Sequence, residues 1–312
     1  MKILEDALLV KKLRRDGRGY HWTMELVFFL FSMLGPYLIT SGILAIVMDH
    51  LSDPVSFNQL PAVAKIAIRS IPLGILPVVT IFIARVIQKR RVFTTDCSED
   101  PAGAEYWRGA ASALFGVISI VLLGKVLKVF EVIFQTGMNF LLVLLWFAIC
   151  CAQGAMEEII FRGGLFLSLI RKNNVLWSAV LTSLVYAFAH FGMSGFGIVP
   201  AVTLFLLSLF TSLITVRRGS IAMSCAFHGF WIFGRTALFH LDTLEAHANS
   251  FAFLVQTDER HLLSGGAFGL DGSVLALGMI LIMLCFELVY WRNRELDKNE
   301  NKIDSLDENM VF

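Results

Sequence analysis

The chain has 312 residues, of which 56% are hydrophobic and only 16% are charged. Soluble domains carry about a quarter charged residues, so this composition excludes an ordinary soluble domain and indicates an integral membrane protein. The formal net charge of +1 gives no basic surface for nucleic acid, and no nucleic-acid partner is expected.

Apolar stretches long enough to cross a bilayer, which takes about 20 residues, recur along the whole chain. The predicted spans are 24–48, 64–87, 108–124, 137–156, 174–193, 196–216, 220–239 and 272–291. The first stretch is too long for the apolar part of a signal peptide, so we expect it to be a transmembrane helix. The predicted fold class is therefore all-α, a polytopic integral membrane protein with about eight transmembrane helices.

Basic residues predict the orientation of these spans. They cluster before the first span (11–18, KKLRRDGR), after the second (88–91, QKRR) and after the last (291–294, WRNR). Because Lys and Arg concentrate in cytoplasmic connections, both termini are expected to be cytoplasmic. Short loops and the lack of targeting elements favour a bacterial plasma membrane.

The same pattern divides the chain into five regions. They are a basic cytoplasmic N-terminus (1–23), N-terminal transmembrane helices (24–136), a core rich in buried polar residues (137–240), an outer loop with the last transmembrane helix (241–291), and a polar cytoplasmic tail (292–312). Residues 125–137 (KVLKVFEVIFQTG) have a helical apolar face and are expected to lie in the membrane interface. The charged tail is expected to be disordered.

Three charged residues interrupt one of the most apolar stretches, GAMEEIIFRGG at 154–164. Each charge at the bilayer centre costs about 2.5–3.5 kcal/mol unless it is paired or faces a wet cavity. Glu158 and Arg162 are one helical turn apart and can pair on one face. Glu157 points about 100° away and has no obvious partner in its own helix. An unpaired carboxylate inside a membrane indicates a functional site.

Counting along the predicted helices brings His190 opposite Glu157. Both residues lie 16 to 17 positions from the centre of the turn at 173–174, one before it and one after it. In an antiparallel pair of helices both then lie about 25 Å from that turn. Tyr186 is one turn before His190 and can share its face.

A second histidine, His228, follows the basic turn at 217–218 by about ten residues. That spacing places it about 15 Å from the turn, which is shallower than His190 by about 10 Å. Helix tilt can close this gap, but the sequence does not show that it does. Two glutamates, one arginine and two histidines on three neighbouring helices nevertheless favour one shared functional site over separate structural contacts.

Two sequence motifs resemble the signature of the CPBP family, also called the Abi family. This family contains CAAX prenyl endopeptidases and bacteriocin-processing or self-immunity proteins. EEIIFR matches the pattern Glu-Glu-x-x-x-Arg through Glu157, Glu158 and Arg162. YAFAH matches the pattern aromatic-x-x-x-His through Tyr186 and His190, with Tyr in place of the more usual Phe.

The third motif of the family is matched only in part. HGFWI supplies His228, but Ile232 stands where the family usually has Asn. The resemblance covers roughly residues 140–240, the four-helix core of the family, and it makes the region 137–240 the predicted catalytic core.

The resemblance implies a glutamate-dependent intramembrane endopeptidase that needs no cofactor and cleaves a membrane-associated or lipidated peptide. Glu157 would be the general base that takes a proton from water, and burial would suit it to that task. His190 would help to position the water, and His228 would stabilise the oxyanion. The implied catalytic residues are Glu157, His190 and His228. The implied supporting residues are Glu158, Arg162 and Tyr186.

Alternative chemistries remain open at this point. Glu157, His190 and His228 also form a possible ligand set for zinc, with a fourth position open for water. The stretch GMSG at 192–195 is superficially similar to the rhomboid nucleophile motif, with Ser194 as nucleophile and His228 as base. That interpretation leaves the glutamates unexplained.

Ile232 also supports a non-enzymatic alternative, because its side chain cannot donate a hydrogen bond to an oxyanion. The protein would then be a catalytically impaired scaffold or a regulator of a partner protein. Arg235, two turns after His228, is the nearest candidate to replace the missing donor. A proton-relaying transporter is less favoured, since the buried charges cluster in one core instead of following a pathway.

Overall fold

The structure is a computed structural model that describes residues 2–15, 19–49, 71, 74–92, 97–98, 100–241, 252–257 and 261–310. These residues are mainly helical. In chain order the helices are α1 (Lys2–Asp6), α2 (Leu8–Arg15), α3 (Trp22–Asp49), α4 (Gly74–Ile87), α5 (Ala102–Val126), α6 (Phe140–Glu158), α7 (Leu167–Leu169), α8 (Val175–Phe188), α9 (Ile198–Arg218), α10 (Ala222–Phe233), α11 (His261–Ser264) and α12 (Val274–Met310). A π-helical segment, Ile159–Phe166, joins α6 to α7, and another, Gly234–Leu238, follows α10.

Four helices in the described residues are long and apolar enough to cross a membrane. They are Ala102–Val126, Phe140–Leu169, Ile198–Arg218 and Val274–Asn293. Three shorter apolar helices are Trp22–Pro36, Gly74–Ile87 and Val175–Phe188. The chain is therefore an integral membrane protein, as the composition predicts. The count of eight spans stays a prediction, and most of residues 64–73 in its second span lie outside the described residues.

Short polar signals set the ends of the helices that carry the site. Asn139 precedes α6, and its Oδ1 accepts hydrogen bonds from the backbone N–H groups two and three residues later, at 3.0 and 3.3 Å. Asn174 caps α8 in the same way, at 2.9 and 3.3 Å. Gly219 ends α9 with φ 67°, a left-handed conformation that glycine adopts without strain.

Helix α10 lies between α5 and α6, and glycines allow both neighbours to come close. A Cβ atom added at Gly109 of α5 would lie 2.2 Å from the carbonyl oxygen of Met223. One added at Gly154 of α6 would lie 2.2 Å from the backbone nitrogen of Gly229. Small residues commonly permit such close contacts between membrane helices. The crossing at Gly229 brings α6 against α10 beside His228.

The predicted interfacial helix at 125–137 is wrong. Helix α5 ends at Val126, and a strand, β1 (Phe130–Phe134), follows it. This strand pairs antiparallel with β2 (Phe253–Thr257), and Phe130 lies opposite Thr257. The segment FEVIF is rich in aromatic and β-branched residues, which favour a strand once a partner strand is available. The apolar pattern of such a short segment does not by itself distinguish a helix from a strand.

The polar tail also differs from the prediction. Helix α12 continues to Met310 and so includes most of the segment that its composition indicates to be disordered. The tail contains Leu, Lys and Glu, which are good helix formers. Because the apolar first part of α12 is already helical, these residues can extend an existing helix without nucleating a new one.

Candidate active site

The two glutamates are the last residues of α6, where the backbone changes from α-helix to the π-helical segment Ile159–Phe166. Segments of this kind often occur at functional sites. Arg90 supports this one from outside the helix. It donates from Nη1 to the carbonyl oxygen of Gly163 at 2.6 Å, and from Nη2 to that of Gly164.

Arg90 is itself held by neighbouring polar groups. Its Nε donates to Gln88 Oε1 at 2.8 Å, and Gln88 Nε2 donates to Glu25 Oε2 at 2.5 Å. Burial lowers the pKa of Arg90 to about 10, while the charge of Glu25 opposes this shift. The guanidinium is therefore protonated at neutral pH and fixes the π-helical segment from the end of α4.

Glu158 is completely buried and doubly paired. Its side chain is 0% exposed, and its Oε1 accepts from Arg162 Nη1 at 2.9 Å and from His228 Nδ1 at 3.0 Å. Arg162 also donates from Nη2 to the carbonyl oxygen of Ser208 on α9, at 2.9 Å. Its guanidinium lies 5.3 Å from the centre of the Tyr186 ring. Arg162 thereby neutralises Glu158 and joins three helices.

Glu157 differs from Glu158 because no guanidinium pairs with it among the described residues. Its side chain is 12% exposed, and its Oε1 accepts from Gln153 Nε2 at 3.1 Å. Its Oε2 accepts from Tyr186 Oη at 3.0 Å and lies 3.4 Å from His228 Nε2. Sequence reasoning missed Gln153, although its position one helical turn before Glu157 is the signal that finds it.

His228 lies between the two glutamates. Its Nδ1 faces Glu158, its Nε2 faces Glu157, and the hydroxyl of Tyr186 is 3.2 Å from the same Nε2. The difference in depth left open by the sequence is therefore closed. Gly154 of α6 lies against Gly229 of α10, the residue that follows His228. This close contact brings His228 to the depth of the glutamates.

His190 lies at the edge of the site. It follows the end of α8 at Phe188, it is half-buried, and its Nδ1 lies 2.9 Å from the carbonyl oxygen of Tyr186. The two rings pack with their centroids 4.8 Å apart. It interacts electrostatically with Glu157, but within the described part of the chain no hydrogen bond joins the two side chains. The structure therefore brings Glu157, Tyr186 and His228 together directly and His190 through Tyr186.

Ile232 is buried in α10, one turn after His228. Arg235 lies near an acidic residue, since its Nε is 3.4 Å from Asp271 Oδ2. The other oxygen of this carboxylate accepts from Trp231 Nε1 at 2.8 Å. Arg235 thus forms an ion pair with Asp271, and its role as a replacement for the missing donor stays a prediction.

Neither alternative chemistry gains support from this arrangement. Among the described residues, no group of three or more His, Cys, Asp and Glu is arranged to hold a metal ion. The zinc interpretation stays an untested prediction. Ser194 is exposed in the turn after α8, whereas both nitrogens of His228 are engaged by Tyr186 and the glutamates.

Fold and site together define an integral membrane protein with a buried carboxylate–histidine cluster between apolar helices. Residues 139–234 match a family described as type II CAAX prenyl endopeptidase Rce1-like. The match confirms the CPBP resemblance and spans all six predicted site residues. This family consists of intramembrane proteases, so the matched segment is CAAX-protease-like. No curated protein and no solved structure matches the chain.

Proposed function

We propose that this protein is a glutamate-dependent intramembrane endopeptidase, with Glu157 as its general base. The observation that carries the proposal is the contrast between the two glutamates. Arg162 and His228 hold Glu158 in full burial, whereas among the described residues Glu157 pairs with no guanidinium and its side chain is 12% exposed. A carboxylate that is held by hydrogen bonds and is not locked in an ion pair with a guanidinium is suited to accept a proton.

The residues then have the following roles. Glu157 takes a proton from water while the water oxygen attacks the carbonyl carbon of the peptide. His190 helps to hold the water, and His228 stabilises the negative charge that develops on the carbonyl oxygen. When the C–N bond breaks, the proton on Glu157 passes to the leaving nitrogen, giving a carboxylic acid and an amine. Glu158 and Arg162 keep His228 in position.

The proposed substrate is a membrane-associated or lipidated peptide. The edge of the site is apolar, since Phe188 and Phe191 beside His190 are exposed and their rings stack with centroids 5.7 Å apart. An apolar edge of the site favours a substrate that is itself in the bilayer. Within that class, prenylated C-termini, bacteriocin or pheromone precursors and membrane anchors of exported proteins all fit.

The proposed location is a bacterial plasma membrane with both termini in the cytoplasm. The distribution of Lys and Arg, at 11–18, at 291–294 and in alternate connections, supports the orientation of the termini. Short loops support the bacterial plasma membrane.

The experiment compares peptide termini in membranes of cells that lack the protein, carry the wild type, or carry a variant. Mass spectrometry is expected to find new termini with the wild type. In Glu157→Gln their rate of formation should fall by about 10²–10⁴, the usual contribution of a general base. Glu131→Gln is the matched control, because Glu131 is an exposed glutamate on β1 and its loss should change nothing.

One result would favour the scaffold instead. If the wild type produces no new termini, while deletion of the protein has a phenotype that Glu157→Gln rescues, then the protein acts without hydrolysis. Ile232 motivates this second candidate, since a buried isoleucine stands where the family usually has an amide donor.

A further inference from the structure

The hydroxyl of Tyr186 occupies an unusual position for a residue that the family usually has as Phe. It lies 3.0 Å from Glu157 Oε2 and 3.2 Å from His228 Nε2, so it touches both the proposed base and the proposed oxyanion ligand. The ring is 1% exposed and packs against Phe161, with centroids 4.9 Å apart. The ring contacts need only a phenyl group, so the hydroxyl requires a separate explanation.

Position 232 cannot supply the second donor that the proposed oxyanion needs. Ile232 lies one turn after His228 on α10, and side chains at this spacing are neighbours, about 5–6 Å apart at Cβ. An amide there would reach the same oxyanion as His228, but isoleucine cannot. Compared with the family motifs, the sequence thus has an additional hydroxyl at position 186 and lacks an amide at position 232.

Counting protons shows which groups of the cluster are donors. Glu158 Oε1 can only accept, so the nearby Nδ1 of His228 carries a hydrogen. Tyr186 has a single hydroxyl hydrogen for two neighbours. Both of its contacts become hydrogen bonds if Tyr186 donates to Glu157 while Nε2–H of His228 donates to Oη. In this assignment His228 is protonated on both nitrogens and carries a positive charge. The charges of the two glutamates, Arg162 and His228 then sum to zero, as burial favours.

We propose that the hydroxyl of Tyr186 is a catalytic oxyanion donor that replaces the amide absent at position 232. The inference rests on the proposed function. Together with Nε2–H of His228 it forms a pair of donors whose heavy atoms are 3.2 Å apart and next to Glu157.

The order of events makes this donor selective for the transition state. Before reaction the hydroxyl donates to the carboxylate of Glu157. As Glu157 takes the proton of the attacking water it loses its charge, and the hydroxyl turns to the oxyanion that forms in the same step. Tyr186 keeps its proton throughout, and the water proton ends on the leaving nitrogen. A contact made only in the transition state raises kcat without tightening substrate binding.

The test uses the purified full-length protein in phospholipid vesicles and a synthetic peptide spanning the cleavage site found in wild-type membranes. Tyr186→Phe is expected to lower kcat by about 10²–10³ with KM unchanged, as for loss of one oxyanion donor. Adding Ile232→Asn to Tyr186→Phe should restore kcat by about tenfold or more, because the amide supplies the lost donor. Tyr106→Phe removes a hydroxyl that interacts with Cys151 instead, and it should retain the wild-type kcat.

Three results would overturn the inference while leaving Glu157-dependent hydrolysis intact. The first is wild-type kcat in Tyr186→Phe. The second is a loss that Ile232→Asn does not restore, which would assign the hydroxyl to helix packing. The third needs no change at Tyr186: a gain of about 10² or more in the single variant Ile232→Asn would mean that the donor site is empty in the wild type. If the wild type itself shows no Glu157-dependent cleavage, the proposed function and this inference fail together.

Discussion

At the scale of single residues, Glu157 and Glu158 are adjacent in sequence and yet have different surroundings. Successive side chains point about 100° apart on a helix, so each glutamate meets a different neighbour. Glu158 faces Arg162 and Nδ1 of His228, whereas Glu157 faces the hydroxyl of Tyr186. The contacts of Glu158 hold His228 in position, whereas those of Glu157 leave its carboxylate able to accept a proton.

Arg162→Met tests the role of this ion pair in stability. The change leaves Glu158 fully buried without its cation, which typically costs about 3–5 kcal/mol. We expect the detergent-solubilised variant to unfold at a clearly lower temperature than the wild type. The double variant Glu158→Gln with Arg162→Met should recover part of the loss, because it leaves no uncompensated charge. Equal melting temperatures for the single variant and the wild type would contradict this role.

At the scale of elements, the site depends on the crossing of α6 and α10. Gly154 and Gly229 allow the two backbones to touch, and the glutamates follow Gly154 by about one turn. The π-helical segment after α6 is then held by Arg90, which donates to two of its carbonyl groups. Helix crossing and π-helical segment together fix where the carboxylates lie relative to His228.

Gly154→Ala should disturb both stability and activity. The added methyl group would lie 2.2 Å from the nitrogen of Gly229, so the helices must separate. Overpacking of this kind costs about 1–3 kcal/mol, and a shift of about 1 Å in the site can reduce the rate by about 10². Gly278→Ala in α12 is the matched control, since its methyl group would meet nothing within 4 Å. Thermal unfolding and peptide cleavage should separate the two variants, and identical behaviour would contradict the close crossing.

At the scale of the whole molecule, the family match covers residues 139–234, but the packing of the site extends beyond it. Helix α5 lies outside the match and covers α10 through the contact of Gly109 with Met223. On another side, Trp231 of α10 donates to Asp271, which lies just before α12. The matched segment therefore depends on helices before and after it.

A fragment of residues 139–234 is accordingly expected not to fold by itself. Without α5 and α12 it exposes α10, of whose twelve residues nine are buried in the full chain. Limited proteolysis in membranes should degrade the fragment under conditions in which the full-length chain gives a resistant core. A fragment that resists proteolysis as well as the full chain does would show that the flanking helices are dispensable.

The residues of the sequence were sufficient for several conclusions. Apolar content alone indicates a membrane protein, because charged residues are too few to cover a soluble surface. The spacing of Glu158 and Arg162 predicts their ion pair, and the motifs predict the resemblance that residues 139–234 show to a CAAX prenyl endopeptidase family. These features depend on composition and on neighbours within one helix, so the sequence contains them completely.

Other features were decided only by tertiary structure. The position of His228 between both glutamates depends on the crossing at Gly154 and Gly229, whose angle and depth no count of residues gives. The strand Phe130–Phe134 forms because a partner strand lies more than a hundred residues later. The hydrogen bonds of the Tyr186 hydroxyl join three helices. Such contacts depend on where separate helices and strands meet in space, and that is set by the packing of the whole chain.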